Sequence, residues 1–138
     1  MITNKAAAMN IEKHSQKGLV LVVEDEPIMR KIAMKVLVDE GYDVLTAENG
    51  ERGIALFRLH YQHILLVLLD MVLPDRSGKD VYIEMKKINP LVKVLLNSGF
   101  RHDRRLAEAF ELGIKHFIEK PYTLEKLSSA IHRAIESP

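Results

Sequence analysis

The feature that most constrains this chain is an alternation that repeats five times after Gly18: a short apolar run, then a longer amphipathic one. Leu19 to Val23 contains only leucine and valine, as expected of a strand buried on both faces. Residues 26 to 40 then carry Ile28, Ile32, Val36 and Leu37 at helical spacing, and Gly41 stands where a glycine stops a helix. Val44 to Ala47 predicts a second strand. Residues 50 to 60, with Ile54, Leu56, Phe57 and Leu59, predict a second helix. Ile64 to Leu69 is the most apolar run and belongs at the centre of the sheet. A polar turn from Pro74 to Gly78 leads into a third helix, which Asn89-Pro90 closes near Ile88. Val92 to Leu96 predicts a fourth strand, residues 102 to 112 a fourth helix ending at Gly113, and Lys115 to Ile118 a fifth strand. Thr123 then caps a last helix with Leu124, Leu127, Ile131 and Ile135 on its apolar face.

Five strand–helix pairs in series predict an α/β fold with a parallel sheet covered by helices on both faces. Right-handed crossovers favour a flavodoxin-like, doubly wound (βα)5 arrangement with strand order 2-1-3-4-5. With 138 residues, one such domain is expected at 18 to 136, with no room for a DNA-binding or catalytic output module. Residues 1 to 17 read as a polar leader, a linker stub or tag, and are expected to be poorly ordered.

Composition narrows the chemistry. A formal net charge of +1 argues against a dedicated nucleic-acid binder, whose footprint is a basic excess. The absence of cysteine excludes disulfides and thiolate-ligated zinc. The longest apolar run, Ile64 to Leu69, falls far short of the ~20 residues a membrane span needs. The leader lacks the apolar centre of a secretory signal, so a cytoplasmic location is expected, with any membrane anchor elsewhere in a longer parent. The glycines form no phosphate-cradling G-x-G-x-x-G or Walker pattern.

In open parallel sheets, sites form beyond the carboxyl ends of the strands. Here the first strand ends in Glu24-Asp25-Glu26 and the third in Asp70. The fourth ends in Asn97-Ser98-Gly99, and the fifth runs into Glu119-Lys120-Pro121. Two carboxylates about 4 Å apart repel by about 4 kcal/mol at an effective dielectric near 20, so a cluster of them calls for a cation. Oxygen ligands without histidine or cysteine favour Mg²⁺, which accepts a phosphate as co-ligand. Lys120 and Ser98 are placed to bind phosphoryl oxygens, and a carboxylate such as Asp70 can form an acyl phosphate. Taken singly, each residue has an ordinary explanation. An acidic start to a helix is favoured by its macrodipole, and Ser98 and Lys120 are common loop residues. Only their joint placement carries weight. His60-x-x-His63 lacks a third ligand and reads as structural. Arg101, Arg104 and Arg105 read as a solvated face.

The segments LVLVVEDEP (19 to 27), LLVLLDMVLPDRSG (65 to 78), VLLNSGF (94 to 100) and FIEKPY (117 to 122) together resemble the receiver domain of two-component response regulators. Asp70, Pro74 and Gly78 fit that family's D-x-x-x-P-x-x-x-G pattern. The S-G-F after the fourth strand and the K-P-Y-x-x-x-x-L ending look most like receivers attached to hybrid sensor histidine kinases.

The resemblance implies Asp70 as phosphoacceptor, receiving a phosphoryl group from a sensor histidine kinase or a histidine phosphotransfer domain. It implies Mg²⁺ held by Asp25, Asp70 and the Val72 backbone carbonyl, with Glu24 acting through water where most members have a second aspartate. Ser98 and Lys120 would bind the phosphoryl group, and Phe117 would be the aromatic switch that moves with Ser98. The face of fourth helix, fifth strand and fifth helix would change shape and could pair two copies. In this family, side chains two positions after the phosphoacceptor and two after the hydroxyl residue help place the hydrolytic water. Here they are Val72 and Phe100, neither able to hydrogen-bond water, which implies slow self-dephosphorylation. A phosphohydrolase with an aspartyl nucleophile would need an acid at Val72. A receiver-like module that is never phosphorylated would have no need of Asp25, Asp70, Ser98 and Lys120 together.

Overall fold

Leu19–Val23 is buried at every residue and forms β1, beside the centre of a five-stranded parallel sheet. A computed structural model describes residues 17–99 and 102–138. The other strands are β2 (Asp43–Ala47), β3 (Ile64–Asp70), β4 (Val94–Ser98) and β5 (His116–Glu119), in the order β2-β1-β3-β4-β5. The helices are α1 (Pro27–Asp39), α2 (Gly50–His60), α3 (Gly78–Ile88), α4 (Arg104–Glu111) and α5 (Leu124–Glu136). This is the expected flavodoxin-like fold, with the apolar β3 in the middle.

Because side chains alternate across a strand, each strand feeds two cores. Val20, Val22, Leu66, Leu68, Leu95 and Ile118 pack under α1 and α5. Leu21, Val23, Val67, Leu69, Val94 and Leu96 pack under α2, α3 and α4. Local chemistry starts the helices. The Asn49, Ser77 and Thr123 side chains accept from the Arg52, Asp80 and Lys126 amides at 2.7, 3.1 and 3.1 Å. Pro27 begins α1, where a missing N–H costs nothing.

Three expectations need correction. The fourth strand runs from Val94 to Ser98, two residues later than the apolar run at 92 to 96, because Asn97 and Ser98 continue the ladder against Asp70, Ile118 and Glu119. The fourth helix is shorter than 102 to 112, since Asp103 caps it and Leu112 ends it. Leu124, Ile28 and Leu59 are 57%, 72% and 71% exposed, not core. The first two occupy first turns that overhang the carboxyl end of the sheet. The leader lies outside the described residues except for Lys17, as do Phe100 and Arg101. No described helix is long and apolar enough to cross a membrane.

One glycine is fixed by close approach. A Cβ on Gly78 would lie 2.4 Å from the Asp70 carbonyl oxygen, while the Gly78 amide donates to the Met71 carbonyl at 2.7 Å. The loop after β3 can fold back on its own strand only without a side chain there. Gly78→Ala is therefore expected to destabilise by about 1–3 kcal/mol in urea unfolding, as overpacking does. Gly99→Ala, whose Cβ would meet nothing within 4 Å, should stay within about 0.5 kcal/mol of wild type. Equal stability of the two variants would contradict the close-approach account.

Candidate functional site

The alternation that builds the two cores also aims the polar residues at the strand ends. Glu24, Asp70 and Asn97 follow Val22, Leu68 and Leu95 at the two-residue period, so all three lie on the α1/α5 side of the sheet. Glu24 and Asp70 are 3% and 5% exposed. Lys120, just past β5, reaches them. Its Nζ lies 2.8 Å from Glu24 Oε1, 3.2 Å from Asp70 Oδ2 and 4.0 Å from Glu26 Oε1. The Lys120 amide donates to the Ser98 carbonyl at 2.8 Å, which carries the β4–β5 ladder one step further. The Lys120–Pro121 peptide is cis.

The remaining carboxylate oxygens have local donors. Glu24 Oε2 accepts from the Glu26 amide at 3.2 Å, and Asp70 Oδ1 from the Val72 amide at 3.3 Å. Arg30 donates through Nη1 to the Glu24 and Asp25 carbonyls at 2.8 and 3.2 Å, pinning the turn that carries both acids. Burial and the neighbouring Asp70 push the Glu24 carboxyl up to about 7 despite the Lys120 ammonium, whose own pKa is raised by its carboxylate partners against the pull of burial.

Glu24, the exposed Asp25 and Asp70 each place a carboxylate oxygen within 4.8 Å of the others, the one such group among the described residues. Three carboxyl groups face one ammonium, and every donor is a hard oxygen. That set fits an oxygen-preferring divalent cation. His60 and His63 lie outside the group: the His63 amide bonds to the His60 carbonyl at 2.8 Å after α2. Arg105 is held by Asp103 at 2.7 Å.

Ser98, 2% exposed, ends β4 on the opposite side, facing the α4 layer. Phe117 pairs in register with Leu96, so it lies on that same side and one step from Ser98. It is half-buried and meets Phe110 of α4 edge-on, with ring centroids 6.3 Å apart. Val72, two residues after Asp70, is 55% exposed.

The structure brings Glu24, Asp25, Asp70 and Lys120 together, and four further residues support them. Arg30 and Glu26 flank the acidic turn. Asn97 lies beside Asp70. Asp75 accepts from the Gly50 and Glu51 amides, both at 2.8 Å, and so ties the loop after β3 to the start of α2. Against the cost of burial, those amides hold the Asp75 carboxyl below its usual range. Its partners stand 24 and 25 residues away, which no local spacing reveals.

Comparison with known proteins gives this doubly wound sheet, with its acidic pocket and lysine at the carboxyl edge, a family. The response regulator receiver domain model matches residues 20–132, and the chain belongs to that family. It acts as a receiver domain of two-component signalling. It is 27% identical over 117 residues to the chemotaxis protein CheY of Bacillus subtilis, covering 84% of this chain and 96% of that one. It is 33% identical to a probable transcriptional regulator, ycf27, of Porphyra purpurea, covering 88% of this chain but only 49% of that protein. The crystal structure of a response regulator receiver domain protein from Clostridium thermocellum superposes with a TM-score of 0.79 at 32% identity, covering 86% of this chain and 94% of that one.

The raised Glu24 carboxyl has a measurable consequence. The folded state holds its proton more tightly than the unfolded chain, whose ordinary value is 4.5, so this group's contribution to stability falls as pH rises from 4.5 to about 7 and is level above. In metal-free buffer, Glu24→Gln should gain thermal stability relative to wild type as pH is raised from 4.5 to 8. A gap that is constant or shrinks over that range would contradict the assignment.

Proposed function

We propose that this receiver accepts a phosphoryl group onto Asp70 from the phosphohistidine of a sensor histidine kinase or histidine phosphotransfer domain. The observation that carries this reading is the buried Asp70 carboxylate paired with Lys120 at 3.2 Å beside two further acids. An Asp70 oxygen forms the new O–P bond as the donor's N–P bond breaks, and the imidazole leaves with the bonding electron pair. Glu24 (through water), Asp25, Asp70 and the Val72 carbonyl would hold Mg²⁺. When bound, that ion offsets charge on the phosphoryl oxygens. Lys120 moves from the carboxylates to a phosphoryl oxygen, and Ser98 turns its hydroxyl inward to another. Phe117, one step from Ser98 on the same sheet face, follows it and alters the surface of α4, β5 and α5.

Partner choice is supported by the rim of the site. The exposed Leu124 lines a cavity of about 590 Å³ with Met29, Ile32, Tyr122 and Lys120, the lysine that pairs with Asp70. An apolar rim around a charged pocket suits an amphipathic helix that presents a phosphohistidine. The S-G-F and K-P-Y-x-x-x-x-L segments support attachment to a hybrid sensor kinase, with residues 18 to 136 as the receiver unit and a cytoplasmic location. The altered α4–β5–α5 face would serve for pairing two copies, and no part of the reading requires direct nucleic-acid contact.

Incubation with Mg²⁺ and acetyl phosphate should add one phosphoryl group by intact mass to wild type and none to Asp70→Asn. No adduct on wild type, or an equal one on the variant, would defeat the assignment. The Val72 side chain, exposed beside the acceptor, cannot hold a hydrolytic water. Val72→Asn should therefore shorten the phosphoprotein lifetime by about tenfold, one useful hydrogen bond in the transition state. A wild-type phosphoprotein that decays as fast as the variant would remove that role from position 72.

A further inference from the structure

β4 lies between β3 and β5, so the ion pair between Asp70 at the end of β3 and Lys120 beyond β5 must span the end of β4. Asn97 is the β4 residue at that level. It is the register partner of both Asp70 and Ile118, and it lies on the same side of the sheet as Asp70. It is 1% exposed, and its side-chain Oδ1 has no hydrogen-bond donor among the described residues. An unpaired amide oxygen buried after the apolar Val94-Leu95-Leu96 is a cost to folding that leucine, of similar size, would not carry. Departures of this kind concentrate where function, not stability, sets the residue.

We propose that Asn97 is a positioning residue for Lys120, its Oδ1 being the inner acceptor for the ammonium. In the resting geometry Lys120 is held by Glu24 and Asp70. Resting on the phosphoacceptor reading, both of those partners are lost during phosphorylation: Glu24 turns to the cation, and Asp70 becomes an acyl phosphate. Asn97 then keeps the ammonium over β4, within reach of the phosphoryl oxygens, where a strand of purely apolar residues would let it swing out to solvent. Ser98, the next residue, faces the other side of the sheet. The end of β4 therefore serves the phosphoryl group with its hydroxyl and the lysine with its amide.

The test is Asn97→Leu, phosphorylated by acetyl phosphate with Mg²⁺ and followed by intact mass. The expected result is a protein as stable as wild type or more so, phosphorylated roughly tenfold more slowly, as loss of one charge-assisted contact would give. A variant phosphorylated at the wild-type rate overturns the inference, and so does one that is slower only in proportion to lost folded protein. The wild-type protein supplies a second readout that needs no variant. The Asn97 side-chain amide resonances should shift when beryllofluoride and Mg²⁺ are added together, and resonances that stay in place overturn the inference as well. Wild type that takes up no phosphoryl group at all would instead defeat the phosphoacceptor reading itself.

Discussion

The ammonium of Lys120 sits between two carboxylates that the sheet would otherwise hold in mutual repulsion. At about 4 Å and an effective dielectric near 20 that repulsion is about 4 kcal/mol, comparable to a large share of a small domain's net stability. Glu24 and Asp70 are nearly excluded from water, so solvent cannot relieve it. The lysine does so only in part, since the Glu24 carboxyl is still pushed up to about 7. The pocket is thus left short of positive charge by construction. A divalent cation and a phosphoryl group would complete it, the cation meeting the acids and the phosphoryl group meeting the lysine.

Everything else in the fold serves to hold that geometry. Asp70 ends β3, and Glu24 and Lys120 each stand one residue past β1 and β5, so strand register sets most of their separation, with Asp25 carried by the turn beyond. Continuous burial of β1 and most of β3 makes that register hard to slip, because a one-residue shift would exchange the two faces. The loops are then tied down individually. Arg30 holds the acidic turn, Gly78 lets the loop after β3 close on Asp70, and Asp75 fastens that loop to α2.

The order of strands, the central place of β3 and the gathering of Glu24, Asp25, Asp70 and Lys120 were legible in the sequence. They depend on periodicity and on which residue follows each apolar run. Less legible was anything set by partners distant in the chain. The span of β4 was misplaced because Asn97 and Ser98 are polar yet belong to the ladder, held there by Asp70 on one side and Ile118 and Glu119 on the other. Ile28 and Leu124 fit a helical apolar stripe but lie on first turns that project past the sheet, where there is no core to cover them. Asp75 reads as an ordinary turn residue until α2 is brought beside it. Asn97 stands among the strand-end residues in the sequence, but its part is not legible until the ion pair that spans it is seen.

In the proposed reaction the Lys120 ammonium changes partners as Asp70 becomes an acyl phosphate. A crystal structure of the protein with Mg²⁺ and beryllofluoride would show that exchange. The expected structure has beryllium on an Asp70 oxygen, the metal on Asp25, Asp70 and the Val72 carbonyl, and Lys120 Nζ on a fluorine, withdrawn from Glu24. Beryllofluoride on another carboxylate, or Lys120 still seated between Glu24 and Asp70, would contradict it.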